Sequence, residues 1–382
     1  MNDPRKFKVL VLWADNRAAN YGLRVLASGA RSFIENALPG KDVSVDFQDF
    51  GPGDSNVSFG TKSILKDALR LDGPIKSKIR QYDLILDTGA GDSFADIYGL
   101  KRLSFIAYAH LMARFLKRPI VFLPQTIGPF NTRVGKAVAR TSLRQASIVF
   151  ARDTQSAAYS KEMARPVDFA ATDLVFALDA PAPTSDDAFD IMFNVSGLLW
   201  FADDHVDSGV YRRECEKFVL EAIGAGRDVT LMAHVVHSPS GNDDVDACRE
   251  LSRRLKERGV IVRVVVPDDL QTARASLAAS NIVVGARMHA CLNALSVGTP
   301  AIPWAYSRKF VPLLGDLGWR LAVDLRSDSS AAERTVSLIG STDWEVEKKN
   351  VAEIRVTAER RLTDAALVLR GFVIDRFFPS SP

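Results

Sequence analysis

The sequence predicts an α/β protein built from two Rossmann-like, doubly wound domains facing a cleft. Three observations carry that expectation. Short apolar, β-branched runs alternate with segments of helical period along most of the chain, which is the pattern of parallel sheets covered by helices. At 382 residues the chain is longer than one hydrophobic core usually grows. The segment DAPAPTSDDAFD (179–190) interrupts the alternation with proline, serine and acidic residues, as a linker would.

The first half offers strands at 7–13, 43–47, 82–87, 119–124, 146–151 and 166–170, with helices at 22–37, 101–116, 133–145 and 154–164. After the linker the alternation restarts with strands at 190–196, 228–236, 260–266, 281–285 and 299–305, separated by helices at 209–224, 243–258 and 270–279. Residues 344–376 have helical composition. The expected organisation is a first domain over 1–180, a linker over 181–189, a second domain over 190–343, and a helical segment over 344–382 that packs back on the first. Right-handed crossovers would align the loops after the strands along one rim of each sheet. ASIVFARDTQSAAY (146–159) and SNIVVGARMHACLN (280–293) echo one another: strand, small residue, arginine, helix.

Composition narrows the function classes. The formal charge is +3 from 49 Lys and Arg against 46 Asp and Glu, with no long basic block, so no nucleic-acid partner is expected. Cys215, Cys248 and Cys291 are widely spaced and read as reduced thiols rather than a disulfide frame or zinc site. The apolar run VLVLW before Asp15 is too short for a signal-peptide core or a membrane span. A cytoplasmic protein is expected, with peripheral membrane contact left open.

Residues with chemistry gather at predicted strand ends. Arg287 and His289 follow NIVVG where a helix begins, and a helix N-terminus attracts anions. Arginine adds a planar fork for carboxylate or phosphate, and histidine can move protons near neutral pH. Lys309 lies at a second strand-to-helix transition and could reach the same rim. Position alone also admits a surface ion pair at Arg287 with His289 capping the helix. In the first domain DTGAGDSFADIYG (87–99) places Gly89 and Gly91 after a strand, with Asp92 and Asp96 as candidate acid/base groups. It lacks a P-loop Gly-Lys-Ser/Thr and a full dinucleotide fingerprint. Gln125 in PQTIGPF and Asn20 in NYG could meet a sugar, or could serve a rigid turn and a helix cap. His234 and His237 in HVVH would point to opposite faces of an extended strand, so no shared metal is expected; a rim role for His234 is the alternative.

These motifs, in order from NYG to YSRKF, resemble the polysaccharide pyruvyl transferase family. The resemblance rests on RMHACLNALSVGTPAIPWAYSRKF (287–310), PQTIGPF with ARDTQSA, and GAGDSFADIYG, with HVVHSPSGNDD as a weaker echo. It implies a fold like that of GT-B glycosyltransferases and transfer of pyruvate from phosphoenolpyruvate to a sugar, oligosaccharide or lipid-linked glycan in surface or exopolysaccharide synthesis, with no further cofactor. It assigns the donor to Arg287, His289 and Lys309, with Arg152 as a further contributor, and general acid catalysis to His289. Asp96 or Asp92 would be the base, with Asn20, Gly89, Gly91, Gln125 and His234 on the acceptor side. The turn departs from the family's triple glycine at Ala90 and Asp92, which bears on the acceptor more than the donor. Two other readings stand beside it: a GT-B glycosyltransferase using a nucleotide sugar, and a non-catalytic carbohydrate-binding protein.

Overall fold

The computed structural model describes residues 6–52, 56–181, 188–238, 241–327 and 330–379. Most of the expected linker lies outside these residues. The chain divides into two compact units. One comprises 1–17, 26–177 and 358–382, and the other 18–25 and 178–357.

The first unit holds a parallel six-stranded sheet of order β2-β1-β3-β4-β5-β6. Its strands are β1 (Phe7–Leu12), β2 (Val43–Gln48), β3 (Leu84–Asp87), β4 (Ile120–Phe122), β5 (Ile148–Ala151) and β6 (Phe169–Ala170). The crossovers carry α1 (Tyr21–Ala37), α2 (Thr61–Ala68), α3 (Pro74–Ile79), α4 (Leu100–Phe115), α5 (Arg133–Gln145) and α6 (Thr154–Glu162). Strands β3, β4 and β5 are buried along their whole length, which is why they read as continuous apolar runs rather than alternating ones. Helices α2 and α3, of 8 and 6 residues, span too few turns to show a repeating apolar stripe in the sequence. They are organised instead by the buried carboxylate of Asp67. It accepts from the backbone of Ile75 (2.8 Å) and Lys76 (3.1 Å) and from the Tyr108 hydroxyl (2.8 Å), and pairs with the Lys76 ammonium at 3.4 Å.

The second unit holds another parallel sheet, of order β12-β11-β10-β7-β8-β9. Its strands are β7 (Phe189–Asn194), β8 (Val229–Met232), β9 (Arg263–Val265), β10 (Ser280–Gly285), β11 (Ala301–Ala305) and β12 (Val323–Asp324). Around them lie α7 (Gly197–Phe201), α8 (Ser208–Gly224), α9 (Asp244–Glu257), α10 (Leu270–Ala278), α11 (Met288–Val297), α12 (Phe310–Leu317) and α13 (Ala331–Ser341). A core of Phe193, Phe218, Tyr211 and Trp304 packs edge to face, with centroids 4.9 to 6.1 Å apart, a favoured aromatic geometry. The expected strand over 228–236 ends early, because the N–H groups of His234 and Val235 turn to the carboxylate of Asp244 instead of a ladder partner.

Contiguous boundaries miss residues 18–25, which cluster with the second unit. Val236 N donates to Ala19 O (2.9 Å), Tyr21 N to His234 O (3.2 Å), and the Tyr21 hydroxyl to Pro267 O. The last helix, α14 (Trp344–Phe377), contributes residues from Ala358 onward to the first unit, where Phe377 and Phe378 meet Phe7 at 5.0 and 5.6 Å. Among the described residues no helix is long and apolar enough to cross a membrane.

Replacing Asp67 with alanine strands the Lys76 charge in the interior. It is expected to cost about 3–5 kcal/mol, the scale for breaking a buried pair, read as a lowered urea midpoint.

Candidate active site

In an open parallel sheet, ligands are received where the strand order reverses, outside the carboxyl ends of the strands. The two switch points lie between β1 and β3 and between β7 and β10. Leu12 pairs with Asp87 at the first and Asn194 with Gly285 at the second. Gly89 and Gly91 follow β3 at the first, Arg287 and His289 follow β10 at the second, Arg152 and Lys309 follow β5 and β11, and each unit has its own cluster.

In the second unit the cluster is built on Asp244, fully buried at the start of α9. Its Oδ1 accepts from Gly197 N (2.8 Å) and from Nε and Nη2 of Arg287 (3.1 and 2.7 Å). Its Oδ2 accepts from His234 N (3.1 Å), Val235 N (3.0 Å) and Asn194 Nδ2 (3.3 Å). Arg287 is therefore neither at a surface nor wholly available. One edge of its guanidinium is bound to Asp244, and Nη2 also donates to Asn242 O at 2.9 Å. The opposite nitrogen, Nη1, makes no hydrogen bond among the described residues. Burial opposes the Arg287 charge, but Asp244 more than offsets it and raises its pKa, so the cation is permanent.

Arg287 is the N-cap of α11, and its backbone N–H donates to Asn194 Oδ1 at 3.0 Å. His289 follows in the first turn, half-buried. Room for its ring comes from Gly22 in α1, where a Cβ would lie 2.8 Å from His289 Nδ1. Gly22 was not singled out from sequence, since a glycine near a helix start has many ordinary uses. Asn20 caps α1, its half-buried side chain accepting from Gly22 N through Oδ1 at 2.8 Å. His234 is fully buried, which removes it from the acceptor-binding role; His237 is exposed, so the two histidines part. Lys309 is half-buried as the N-cap of α12, directly after the β11 loop. Burial pushes the Cys291 thiol up, leaving it a protonated core residue.

In the first unit the analogous buried carboxylate is Asp87. Its Oδ1 accepts from Gly89 N (2.7 Å) and Gln125 Nε2 (3.1 Å), and its Oδ2 from Trp13 Nε1 (2.6 Å), with His110 Nε2 at 2.7 Å. Gly89, Ala90 and Gly91 all have positive φ, at 53°, 49° and 84°. Three left-handed residues in a row explain the glycines, and the Gln125 amide fills the space where a Gly89 side chain would stand. Gln125, with no exposed surface, is a brace of this turn rather than a sugar contact. Asp92, half-buried beyond the turn, accepts from the Tyr98 hydroxyl at 2.7 Å. Asp96 is not placed as a base. It accepts from Asn131 N (2.8 Å), Thr132 N (2.7 Å) and Thr132 Oγ1 (2.8 Å) ahead of α5. Burial works to raise its carboxyl, but these donors outweigh it and hold the pKa below the usual value.

Arg152, after β5, repeats the Arg287 arrangement. It is 1% exposed and pairs with Asp173 at 2.7 Å through Nη1. Its Nε donates to Thr126 Oγ1 at 3.0 Å, and Nη2 has no partner among the described residues. The sequence echo between the two strand–arginine–helix segments thus corresponds to two buried arginines, each paired with an aspartate and each with one nitrogen to offer.

Three outcomes follow from this geometry. Arg287→Ala leaves Asp244 buried without its cation and is expected to cost about 3–5 kcal/mol in a denaturation experiment. Gly22→Ala favours the helix by up to about 1 kcal/mol yet crowds His289, so stability should hold while turnover falls. Because the Asp96 pKa is depressed in the fold, its stabilisation is complete above about pH 4 and is lost as pH falls through the folded value. Asp96→Asn should flatten that acid limb in urea midpoints measured from about pH 6 down to 3.

The fold is shared with sugar-nucleotide enzymes of GT-B-like architecture. UDP-GlcNAc 2-epimerase from Neisseria meningitidis, bound to UDP-GlcNAc, superposes with a TM-score of 0.61 at 12% identity, covering 95% of this chain and 100% of that one. The UDP-GlcNAc 2-epimerase from Methanocaldococcus jannaschii gives 0.56 at 11%, covering 89% and 94%. Anabaena Alr3699/HepE in complex with UDP gives 0.57 at 13%, covering 97% and 100%. No curated protein matches the sequence significantly. The family model for polysaccharide pyruvyl transferase matches residues 20–308, more than half of the chain and a span that includes Gly89, Gly91, Arg287 and His289, and the chain belongs to the polysaccharide pyruvyl transferase family.

Proposed function

We propose that the protein transfers pyruvate from phosphoenolpyruvate to two hydroxyls of a sugar in a polysaccharide or glycolipid precursor, closing a cyclic ketal and releasing phosphate. The observation that carries this reading is the set of side chains that follow the neighbouring strands β10 and β11: Arg287 with Nη1 to offer, His289 in the first turn of α11, and Lys309 capping α12. Phosphoenolpyruvate is a compact dianion or trianion, and helix N-termini with an arginine and a lysine suit it.

His289 is the proposed acid. It gives a proton to the donor's methylene carbon, and the adjoining carbon becomes electrophilic. A sugar hydroxyl forms a C–O bond there and surrenders its proton to a general base. The C–O bond to phosphate then breaks, with the bonding pair leaving on phosphate. The second hydroxyl adds to the same carbon and loses its proton, so donor plus diol become ketal plus inorganic phosphate. Arg287 and Lys309 would assist by stabilising the charge that gathers on the leaving group. Gly89 and Gly91 are proposed to bring backbone N–H groups near the acceptor, and Arg152 is a proposed anion contact through Nη2. The scheme calls for no resident cofactor.

The test is calorimetric titration with phosphoenolpyruvate and, separately, with UDP-GlcNAc. Lys309 is probed in preference to Arg287, whose removal orphans the buried carboxylate of Asp244. Lys309→Ala is expected to weaken phosphoenolpyruvate binding by about 1.5–3 kcal/mol, tenfold or more. His289→Ala should slow turnover by about 10²–10⁴ with a smaller effect on donor affinity. Binding of UDP-GlcNAc with none of phosphoenolpyruvate would replace this proposal with a nucleotide-sugar glycosyltransferase.

A further inference from the structure

Asn293 lies one turn after His289 on α11, and its amide can be oriented from its partners. Arg274 of α10 donates from Nη1 to Asn293 Oδ1 at 2.8 Å. A guanidinium has no acceptor, so the amide oxygen must face it. The two amide hydrogens then go to the His289 carbonyl, 2.7 Å away, and to His234 Nε2, 3.2 Å away. His234 Nε2 is thereby an acceptor, which places the ring's proton on Nδ1. Nδ1 is buried and makes no hydrogen bond among the described residues. Arg274 is itself anchored, donating to Ser296 Oγ at 2.9 Å and to the carbonyls of Leu178 and Asp179 at 3.3 and 3.1 Å.

We propose that Arg274 and Asn293 are positioning residues that lock His234 in its neutral Nδ1–H tautomer, so that His234 does not compete with His289 for a proton. The catalytic meaning of that restraint rests on the proposed role of His289 as acid, but the lock itself does not. Protonating His234 would put an Nε2–H against the Asn293 N–H, donor against donor, in a site without solvent. The groups facing the ring do not relieve this. Arg287 and His289 stand at the start of α11, and Tyr21 of α1 meets the ring edge-on at 5.6 Å. Asp244 of α9 takes the His234 backbone N–H, and its charge is already matched by Arg287. Burial, reinforced by His289 and Arg287, pushes the His234 pKa down to about 3. Two adjacent protonated imidazoles would suppress one another, and the lock avoids that competition.

The experiment is ¹⁵N NMR of imidazole-labelled protein, with the His234 signals assigned by His234→Gln. The parent is expected to show a protonated Nδ1 and an unprotonated Nε2, with no titration between about pH 5 and 8. Asn293→Asp keeps an acceptor for Arg274 but replaces the donor to His234 with an acceptor. It should move the proton to Nε2 and bring the ring's titration up into that range. An Nε2–H tautomer in the parent, a parent His234 that titrates near neutrality, or an unchanged tautomer in Asn293→Asp would overturn the proposal. The parent spectrum decides even if the variant fails to fold. Neither spectrum uses phosphoenolpyruvate, so a wrong donor assignment would leave these outcomes intact.

Discussion

The carboxylate of Asp244 is the constraint on which the second unit's cluster depends. It has no exposed surface and collects six donor contacts: two from Arg287, three from the backbone of Gly197, His234 and Val235, and one from Asn194. A buried carboxylate is tolerated only when paired and hydrogen-bonded, so these partners cannot be withdrawn piecemeal. In meeting that requirement the chain ties together the end of β7, the start of α7, the loop after β8 and the first turn of α11. The rim is assembled around one anion, and Arg287 is held at a fixed angle with one nitrogen turned away from the pair.

The same requirement limits what Arg287 can do. Its charge is largely matched by Asp244, so an anion bound as proposed would owe less to the net charge of Arg287 than the bare sequence suggests. An arginine fixed in this way contributes direction more than net charge, since its orientation is settled before any ligand arrives, which favours preorganised stabilisation. Arg152 and Asp173 repeat the design in the first unit, where Asp87 gathers Trp13, His110, Gly89 and Gln125 around the glycine turn.

Much of the architecture was legible in the sequence because buried parallel strands and amphipathic crossovers leave strong periodic signals. The Arg287–His289 pair, the glycine turn and Lys309 were found at strand ends for the same reason. What escaped was long-range. Asp244 has no local pattern to mark it, since its carboxylate is matched by backbone N–H groups of Gly197, His234 and Val235 and by Arg287, all distant in sequence. Asp96 could not be told from a base until Asn131 and Thr132 were seen to occupy it. Gly22 makes room for a ring 267 positions away in sequence, and no local pattern encodes such a contact. The tautomer of His234 depends on a chain of three residues from α10, α11 and the loop after β8, each ordinary by itself.

A crystal structure of the protein with phosphoenolpyruvate would bear most directly on the central claim. The phosphate is predicted to lie at the carboxyl ends of β7 and β10, against the first turn of α11, within hydrogen-bond reach of His289 and Arg287 Nη1. Phosphoenolpyruvate held elsewhere, with that rim left unchanged, would contradict it.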